Sequence, residues 1–437
     1  MSWPPWSRAR LRRPASAVMR AVLRVGDQGD ARAAGHLLLA GGWDVQADGS
    51  LDGADLLVVD EWTPETDRHV VAARANGVRV TVLAELILDH LRSPVIAVTG
   101  TAGKTSACRA LAHVLEGCGR PVSISSTARS ANAWPDRSVE VDPAPGTVTI
   151  AELTSTHLCH MDSVRADVGV VTLLRPDHVD LHGDLERYYA AKRRMVERMP
   201  ASSSVVLPVD DQQTTDILGP IDRTTFGFGS SAGTAPDGAF EVDGHLVLAA
   251  GGRSAQRDLP ATGTALRAAM AAAAAALAIG IDPQAVADAL DGLPSVAHRL
   301  AARPGPGGVT IIDDSMAATP LKAASGIREA PPGQLVAIVG GNDAPAGAPV
   351  HASPEEAAAL SEALLLVRER ADCLIAFGPA AQRVVAHVPV DKELGSLADA
   401  LDAALSRCPP GGTVMISPMF PLTPDERARA AGAAPSR

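Results

Sequence analysis

Residues 95–106 read Val95-Ile-Ala-Val-Thr-Gly-Thr-Ala-Gly-Lys-Thr-Ser106. The apolar run predicts a strand that ends at Thr99, and the pattern from Cys108 to Leu115 predicts a helix. Gly100 and Gly103 let the intervening backbone curl so that its N–H groups point inward, at the positive end of the helix dipole. This order of strand, glycine loop and helix predicts a phosphate-binding loop.

The side chains of the loop are typical of nucleotide binding. Lys104 would lie against the β- and γ-phosphates as a point charge, and the Thr105 hydroxyl could join the shell of a Mg²⁺ ion. The spacer before the lysine is shorter than in the common P-loop, so a tight turn that contains a lysine is the alternative. The flanking strand and helix favour nucleotide binding. The candidate residues are Gly100, Thr101, Ala102, Gly103, Lys104, Thr105 and Ser106.

Composition narrows the class of protein. The 437 residues suggest about three domains, and a hydrophobic content of 46% is ample for packed cores. The formal net charge of −11 argues against broad binding to nucleic acids or membrane surfaces. The five cysteines show no Cys-x-x-Cys spacing, which indicates free thiols in a reducing compartment and no structural zinc site. We expect a cytoplasmic protein with a loose basic segment over 1–13.

Alternating elements precede the loop. Strands are predicted over 54–59 and 78–83, and helices over 31–40, 66–75 and 85–90. This alternation predicts a small parallel α/β unit that ends near Ser93-Pro94. No Gly-x-Gly-x-x-Gly turn follows its first predicted strand, so the dinucleotide fingerprint is absent there.

Acidic and imidazole side chains follow predicted strands beyond the loop. One strand pattern ends at Glu152, where open α/β sheets place ligands; an N-cap or a surface carboxylate is the alternative. The strand 167–174 leads into Asp177-His178, a plausible metal and phosphate position. On the sequence alone, Asp180 and His182 could hold a metal or phosphate equally well, and a lone histidine more often has a structural role than a ligand role.

Two cations in this region have open roles. Lys192 ends a helix pattern over 185–192, and most helix lysines are solvated. Arg175 could be a phosphate contact or a solvated charge. The residues alone do not decide between these possibilities.

The C-terminal part predicts an open parallel sheet. Strands are predicted over 310–313, 335–339, 373–377 and 413–417, and helices over 354–370 and 396–407. Asp314 and Ser315 follow the first of these strands at its carboxyl end, where ligand contact is expected. The tail after Pro424 is rich in alanine and arginine and is expected to fray.

The order of several motifs resembles the Mur ligase family. They are Gly-Thr-x-Gly-Lys-Thr at 100–105, Glu-Leu-Thr-Ser at 152–155, Asp177-His178, Tyr-x-Ala-Ala-Lys at 188–192, His298-Arg299 and Asp313-Asp314-Ser315. Within the family the resemblance is strongest to the ligases that add D-glutamate to UDP-N-acetylmuramoyl-L-alanine. It implies an α/β fold with the three-domain Mur ligase architecture. The implied domains are a small N-terminal substrate-binding α/β domain (1–92), a central P-loop ATPase domain with a parallel sheet (93–297) and a C-terminal Rossmann-like domain (298–437).

The resemblance also implies a chemistry. A substrate carboxylate attacks the γ-phosphate of ATP to give an acyl phosphate and ADP, an amine then attacks the acyl carbon, and phosphate leaves. Lys104, His178 and Lys192 are the implied catalytic residues, and Lys192 is implied to be carbamylated by CO₂. The resemblance implies two Mg²⁺ ions, supported by Thr105, Glu152, His178 and Lys192. It also implies that Arg299 and Asp314 contact the nucleotide.

The positions that depart from the family pattern are mainly those that recognise the substrates. Asp60-Glu-Trp-Thr-Pro64 stands where the D-glutamate ligases have Ser-Pro-Gly, so a diphosphate would meet carboxylates instead of backbone N–H groups. Met316 and a position near Pro345 replace two lysines that receive the carboxylates of D-glutamate. On the nucleotide side, Gly263-Thr-Ala-Leu-Arg267 replaces a His-Asn-x-x-Asn motif near the adenine.

These observations predict an ATP-dependent ligase that joins a small-molecule carboxylic acid to an amine, with an altered acid, amine or both, in specialised biosynthesis. We expect a monomer that binds neither nucleic acid nor membrane. A true D-glutamate ligase of peptidoglycan synthesis is the alternative within the class. A catalytically silent nucleotide-binding or interaction protein, and a simple P-loop ATPase or kinase, are the alternatives from other classes.

Overall fold

The computed structural model describes residues 18–26, 28–126, 145–177, 179–230, 235–342 and 354–432. The chain divides into two compact units, Met1–Leu293 and Pro294–Arg437. Both units contain mainly parallel sheets with connecting helices, so the α/β class predicted from the sequence is confirmed. The domain boundaries predicted after residues 92 and 297 remain predictions.

A four-stranded parallel sheet opens the first unit. Its strands are β1 (Arg20–Arg24), β2 (Asp44–Ala47), β3 (Leu56–Val59) and β4 (Arg79–Val82), and its helices are α1 (Gln28–Ala40), α2 (Arg68–Ala75) and α3 (Leu83–His90). The strand order is β2-β1-β3-β4. Sequence reasoning missed β1 and β2, because arginines end the short apolar run of β1 and most of β2 is exposed.

A nine-stranded sheet forms the centre of the first unit. Its strands are β5 (Val95–Thr99), β6 (Val122–Ser126), β7 (Val148–Glu152), β8 (Val168–Val171), β9 (Ser204–Pro208), β10 (Thr225–Gly229), β11 (Gly238–Val242), β12 (His245–Ala250) and β13 (Arg253–Asp258). Their order is β13-β12-β11-β10-β9-β8-β5-β7-β6, and β12 is antiparallel to both of its neighbours, β11 and β13. The glycine loop follows β5, so β7 and β8 end on either side of it.

The helices of this central part cover both the loop and the sheet. They are α4 (Lys104–Gly117), α5 (Ser155–Leu158), α6 (Val179–His182), α7 (Leu185–Arg198), α8 (Gln212–Leu218), α9 (Gly263–Ala278) and α10 (Pro283–Ala289). Helix α9 is rich in alanine, and its residues 271–276 are almost completely buried against α4 and the sheet. Small side chains allow this close approach, which explains how the core is filled with few aromatic residues.

The small sheet and the central sheet share one hydrophobic core within the first unit. Buried Glu85 adds a polar link between them. Its carboxylate lies 2.6 Å from Arg79 and accepts hydrogen bonds from the backbone N–H groups of Asp162 and Ser163 at 3.1 and 2.9 Å. A buried carboxylate with its charge and hydrogen bonds satisfied holds these segments in one arrangement.

The second unit contains a six-stranded sheet. Its strands are β14 (Ala301–Pro304), β15 (Thr310–Asp313), β16 (Leu335–Gly340), β17 (Cys373–Phe377), β18 (Lys392–Leu394) and β19 (Thr413–Met419). Their order is β14-β15-β19-β16-β17-β18, and β14 is antiparallel to β15. The helices are α11 (Pro320–Arg328), α12 (Pro354–Arg370), α13 (Ala381–Val385), α14 (Leu397–Arg407) and α15 (Pro424–Ala430).

The expectation of a frayed tail after Pro424 was wrong as far as residue 430. Thr423 and Glu426 form a capping box at the start of α15, in which each side chain accepts a hydrogen bond from the backbone of the other residue. This cap satisfies the backbone N–H groups of Thr423 and Glu426 at the start of the helix. Among the described helices of the chain, none has the length and apolar character needed to cross a bilayer.

Candidate active site

The glycine loop is held tightly against the end of β8. Gly103 adopts the left-handed backbone conformation (φ 86°) at the start of α4. A Cβ on Gly100 would come within 2.0 Å of the Thr172 hydroxyl, which itself donates a hydrogen bond to the Ala102 carbonyl at 2.6 Å. Both glycines are therefore required by the conformation and close packing that a phosphate loop needs.

A tyrosine that sequence reasoning did not assign to the site holds the second loop residue. The hydroxyl groups of Thr101 and Tyr188 are 2.7 Å apart, and Tyr188 is 1% exposed. The backbone N–H of Thr101 also donates to the Leu173 carbonyl at 2.6 Å. Burial, reinforced by nearby Asp177, raises the pKa of Tyr188 well above its ordinary value despite the hydrogen bond to Thr101. Tyr188 therefore stays protonated and can position the loop.

Two lysines converge on one carbonyl oxygen of the loop. Lys104 Nζ donates to the Gly100 carbonyl at 2.9 Å, and Lys192 Nζ donates to the same oxygen at 3.0 Å. Lys192 is 2% exposed and also donates to the Thr99 hydroxyl at 3.1 Å, which excludes the alternative of a solvated helix lysine. Its predicted catalytic and metal-binding roles stay predictions. Two ammonium groups that meet at one carbonyl oxygen of the loop create a strongly positive position that suits a phosphate.

An oxygen-rich position lies beside the lysines. The Thr105 hydroxyl is 3.2 and 3.1 Å from the two carboxylate oxygens of Glu152. Glu152 is 4% exposed, so it is no surface carboxylate, and the N-cap of α5 is Thr154. Hydroxyl and carboxylate oxygens are the donors that Mg²⁺ prefers, so these residues fit a Mg²⁺ ion. His178 lies outside the described residues, and its predicted part in metal binding stays a prediction.

Arginines near the loop are used in ion pairs. Arg175 makes two hydrogen bonds to Asp211, at 3.0 and 2.6 Å, which favours a structural role over a phosphate contact. Burial raises the pKa of Asp211, but hydrogen bonds from Arg175 and Thr214 lower it to about 2. Arg267 pairs in the same way with Asp210, at 3.2 and 2.8 Å.

Arg299 and Asp314 meet in the second unit. A guanidinium nitrogen of Arg299 lies 3.9 Å from Oδ1 of Asp314, and the Ser417 hydroxyl donates to Oδ2 at 2.9 Å. Burial raises the pKa of Asp314 to about 7, although Arg299 and Ser417 oppose the rise. The neighbouring His298 has a positive φ of 62° and lies 2.8 Å from Asp313. Nucleotide contact by Arg299 and Asp314 stays a prediction.

The loop between β3 and α2 also reaches the central part of the first unit. Oε2 of Glu61 lies 2.7 Å from Nε2 of His157, and the Thr63 carbonyl lies 2.7 Å from Nε2 of His160. Burial lowers the pKa of His160 to about 4. The acidic character of this loop is visible in the sequence, whereas its histidine partners are not, because they lie about a hundred residues downstream.

Comparisons with known proteins identify the family. Residues 98–277 match the Mur ligase middle domain. The chain is 32% identical over 328 residues to the UDP-N-acetylmuramoylalanine–D-glutamate ligase of Pelotomaculum thermopropionicum, covering 73% of this chain and 69% of that protein. It is 33% identical over 411 residues to the ligase of the same name from Frankia casuarinae, covering 91% and 84% respectively.

The chain belongs to the Mur ligase family. Members of this family are ATP-dependent amide-forming ligases, so this Mur ligase is an ATP-dependent ligase, as the sequence motifs indicated.

Solved structures agree on the fold. The MurF ligase of Thermotoga maritima, determined in complex with ADP, aligns with a TM-score of 0.58 at 19% identity over 96% of each chain. A pseudomurein peptide ligase type C from Methanothermus fervidus aligns with a TM-score of 0.60 at 17% identity, over 91% of this chain and 96% of that one. The predicted Mur ligase architecture is thereby confirmed.

Proposed function

We propose that this Mur ligase activates a carboxylic acid with ATP as an acyl phosphate and transfers the acyl group to an amine. The observation that carries the proposal is the convergence of Lys104 and Lys192 on the Gly100 carbonyl, next to the Thr105–Glu152 pair. Positive charge and oxygen ligands are thus available at one end of the central sheet. Phosphoryl transfer depends mainly on such positioning and charge stabilisation.

Each group has a separate role in this mechanism. The N–H groups of the loop and the ammonium of Lys104 hold the transferred phosphate and stabilise the charge that develops on its oxygens. Glu152 and Thr105 would hold Mg²⁺, which when bound would supply further neutralisation of phosphate charge. The substrate carboxylate then attacks the γ-phosphorus in line, ADP leaves, and the amine displaces phosphate from the acyl carbon after losing a proton to solvent or a nearby base.

Carbamylation of Lys192 belongs to the proposal. Its neutral amine would attack CO₂, form a new C–N bond and release one proton, which replaces a cation by a carboxylate. This change removes the repulsion between two ammonium groups that share the Gly100 carbonyl. The product carboxylate would add another oxygen donor for Mg²⁺ beside Glu152.

The substrates are proposed from two kinds of observation. Glu61 lies in the segment that stands where the D-glutamate ligases have Ser-Pro-Gly, and its side chain is 10% exposed and pairs with His157. A diphosphate entering there would meet a carboxylate, so we favour an acid without a UDP group and, because of Met316, an amine with fewer negative charges than D-glutamate. The second candidate is a D-glutamate ligase of peptidoglycan synthesis, which the names of the relatives from Pelotomaculum and Frankia favour.

Phosphate release from ATP and Mg²⁺ separates these candidates. The assay combines UDP-N-acetylmuramoyl-L-alanine with a panel of amino acids and amines, each with and without the UDP compound. Release that requires both the UDP compound and D-glutamate would support the second candidate and contradict the first. Release supported by another acid, and not stimulated by the UDP compound, would support the first.

A matched variant sharpens this test. Glu61→Ser removes one of the carboxylates that a diphosphate would meet, and we expect it to improve use of a UDP-linked acid if the acid pocket has changed. If no mixture supports release and Lys104→Ala does not change ATP binding, the ligase proposal is wrong and a silent nucleotide-binding protein is the better description.

A further inference from the structure

Glu65, Cys159 and His182 come together outside the phosphate loop. Glu65 lies between β3 and α2, Cys159 follows α5, and His182 ends α6. One possible ligand atom from each residue lies within 4.8 Å of the other two. Cys159 is 3% exposed, and the side chains of His182 and Glu65 are 1% and 12% exposed. Three ligands of different chemical types therefore face each other in a nearly water-free position.

His182 points to a missing ligand in this cluster. Among the described residues, neither of its ring nitrogens has a hydrogen-bond partner, although both are buried. An imidazole buried in this way is costly unless something binds its nitrogens. The two neighbouring buried histidines differ, because His157 is bonded to Thr154 and His160 contacts the Thr63 carbonyl.

Glu65 presents one oxygen to the cluster and the other to arginines. Its Oε1 lies 3.2 Å from Arg74 and 3.4 Å from Arg194, whereas its Oε2 lies 4.0 Å from Nδ1 of His182. The same arginines also donate to the Cys159 carbonyl, at 3.0 and 2.7 Å, so they orient two of the three residues. Groups that orient metal ligands from behind are a regular feature of metal sites.

We propose that Glu65, Cys159 and His182 bind one divalent cation of the zinc class. A thiolate, an imidazole and a carboxylate are the ligands that Zn²⁺ takes in proteins, and the two anionic ligands balance its charge. Cys159 loses its proton to solvent when the ion binds. Mg²⁺ prefers oxygen ligands alone and does not compete here.

The site joins the N-terminal loop to two helices of the central part, and it is independent of the proposed function. Cysteine spacing in the sequence argued against structural zinc. That argument detects ligands close together in the chain, whereas these three come from separate segments.

Cobalt binding to the full-length protein tests the proposal. Protein treated with a chelator is titrated with Co²⁺, and a cysteine ligand is reported by the near-ultraviolet charge-transfer band between thiolate and cobalt. We expect this band to saturate at one equivalent, to disappear when Zn²⁺ is added and to be unaffected by Mg²⁺. Absence of the band at saturating Co²⁺ in the wild-type protein would overturn the proposal.

Variants identify the ligands. Cys159→Ser should remove the band, and His182→Asn should weaken Zn²⁺ binding by about 100-fold or more, since even substitutions behind the ligands cost about 10- to 100-fold. Cys408→Ser removes a buried thiol of the other unit and should leave the band unchanged. Arg194→Gln keeps all three ligands and should weaken binding by about 10-fold, which provides a test if a ligand variant does not fold. A band that survives in Cys159→Ser would exclude this site.

Discussion

Lys104 and Lys192 donate hydrogen bonds to the same oxygen, the carbonyl of Gly100, at 2.9 and 3.0 Å. One lysine begins α4 directly after the loop, and the other comes from α7, almost ninety residues later. Two like charges close together are unfavourable unless an anion joins them or one charge is removed. A bound phosphate would be such an anion, and carbamylation of Lys192 would remove one of the two positive charges.

Lys104→Ala tests the role of the loop lysine. We expect phosphate release to fall by about 10²- to 10³-fold, because one preorganised donor to the transferred phosphate is lost. Stability should change little, since the hydrogen bonds of the side chain go only to backbone carbonyls of its own loop. Steady-state phosphate release and thermal unfolding measure the two effects. Unchanged release would remove Lys104 from the mechanism.

Lys192→Ala tests the buried lysine and its carbamylation. Activity should be lost, and short carboxylic acids should restore part of it by replacing the carboxylate at that position. Arg187→Ala on the same helix removes an exposed cation and serves as the control. Activity that survives in Lys192→Ala would contradict any role for this residue. Activity that is lost and not restored by short carboxylic acids would contradict carbamylation but not a catalytic role of the lysine itself.

Gly100→Ala tests the close packing of the loop. The new Cβ would lie 2.0 Å from the Thr172 hydroxyl, so we expect a stability loss of about 1–3 kcal/mol and weaker ATP binding. Gly119→Ala is the control: it has a φ of +72° and no atom within 4 Å of the new Cβ. The control should lose about 1–2 kcal/mol through backbone strain and keep its ATP affinity. Equal ATP affinity in both variants would show that the loop adapts.

Arg175→Ala distinguishes an ion pair from a phosphate contact. Loss of two hydrogen bonds to Asp211 should cost about 1–3 kcal/mol and leave ATP affinity unchanged. The lowered pKa of Asp211, about 2 against an ordinary 3.8, contributes stability above pH 3.8 that is lost as the pH falls toward 2. This acid sensitivity should decrease in the variant. A clear fall in ATP affinity, measured by calorimetry, would restore the phosphate role.

Asp314→Asn tests the raised pKa in the second unit. Because the folded state binds the proton more tightly, the contribution of Asp314 favours folding at low pH and is lost as the pH rises from 3.8 to about 7. The asparagine variant should not show this loss. Hydrogen exchange of the strand β15 across that pH range measures local stability in the full-length protein. An identical pH dependence in both proteins would contradict the prediction.

Sequence patterns were sufficient for several buried strands, for one long helix and for the loop. The strands Thr310–Asp313 and Cys373–Phe377 and the helix Pro354–Arg370 have the predicted bounds. The strands contain buried apolar runs, and the helix is a long stretch of strong helix formers; both features depend only on the local sequence. Short or edge strands such as Ala301–Pro304 and Lys392–Leu394 were missed, because half-exposed strands contain few apolar residues.

The candidate site also contains parts that the sequence predicts and parts that it does not. The glycine loop and its lysine could be recognised from the sequence alone. Their contacts are local, because the hydrogen bonds of Lys104 stay within five consecutive residues. The neighbours of Lys192, Glu152 and His182 depend on which strands lie next to each other and on which helices pack over them. Those contacts join residues dozens of positions apart. Only tertiary packing decides them, because burial removes water as a competing partner and leaves each polar group dependent on its neighbours in space.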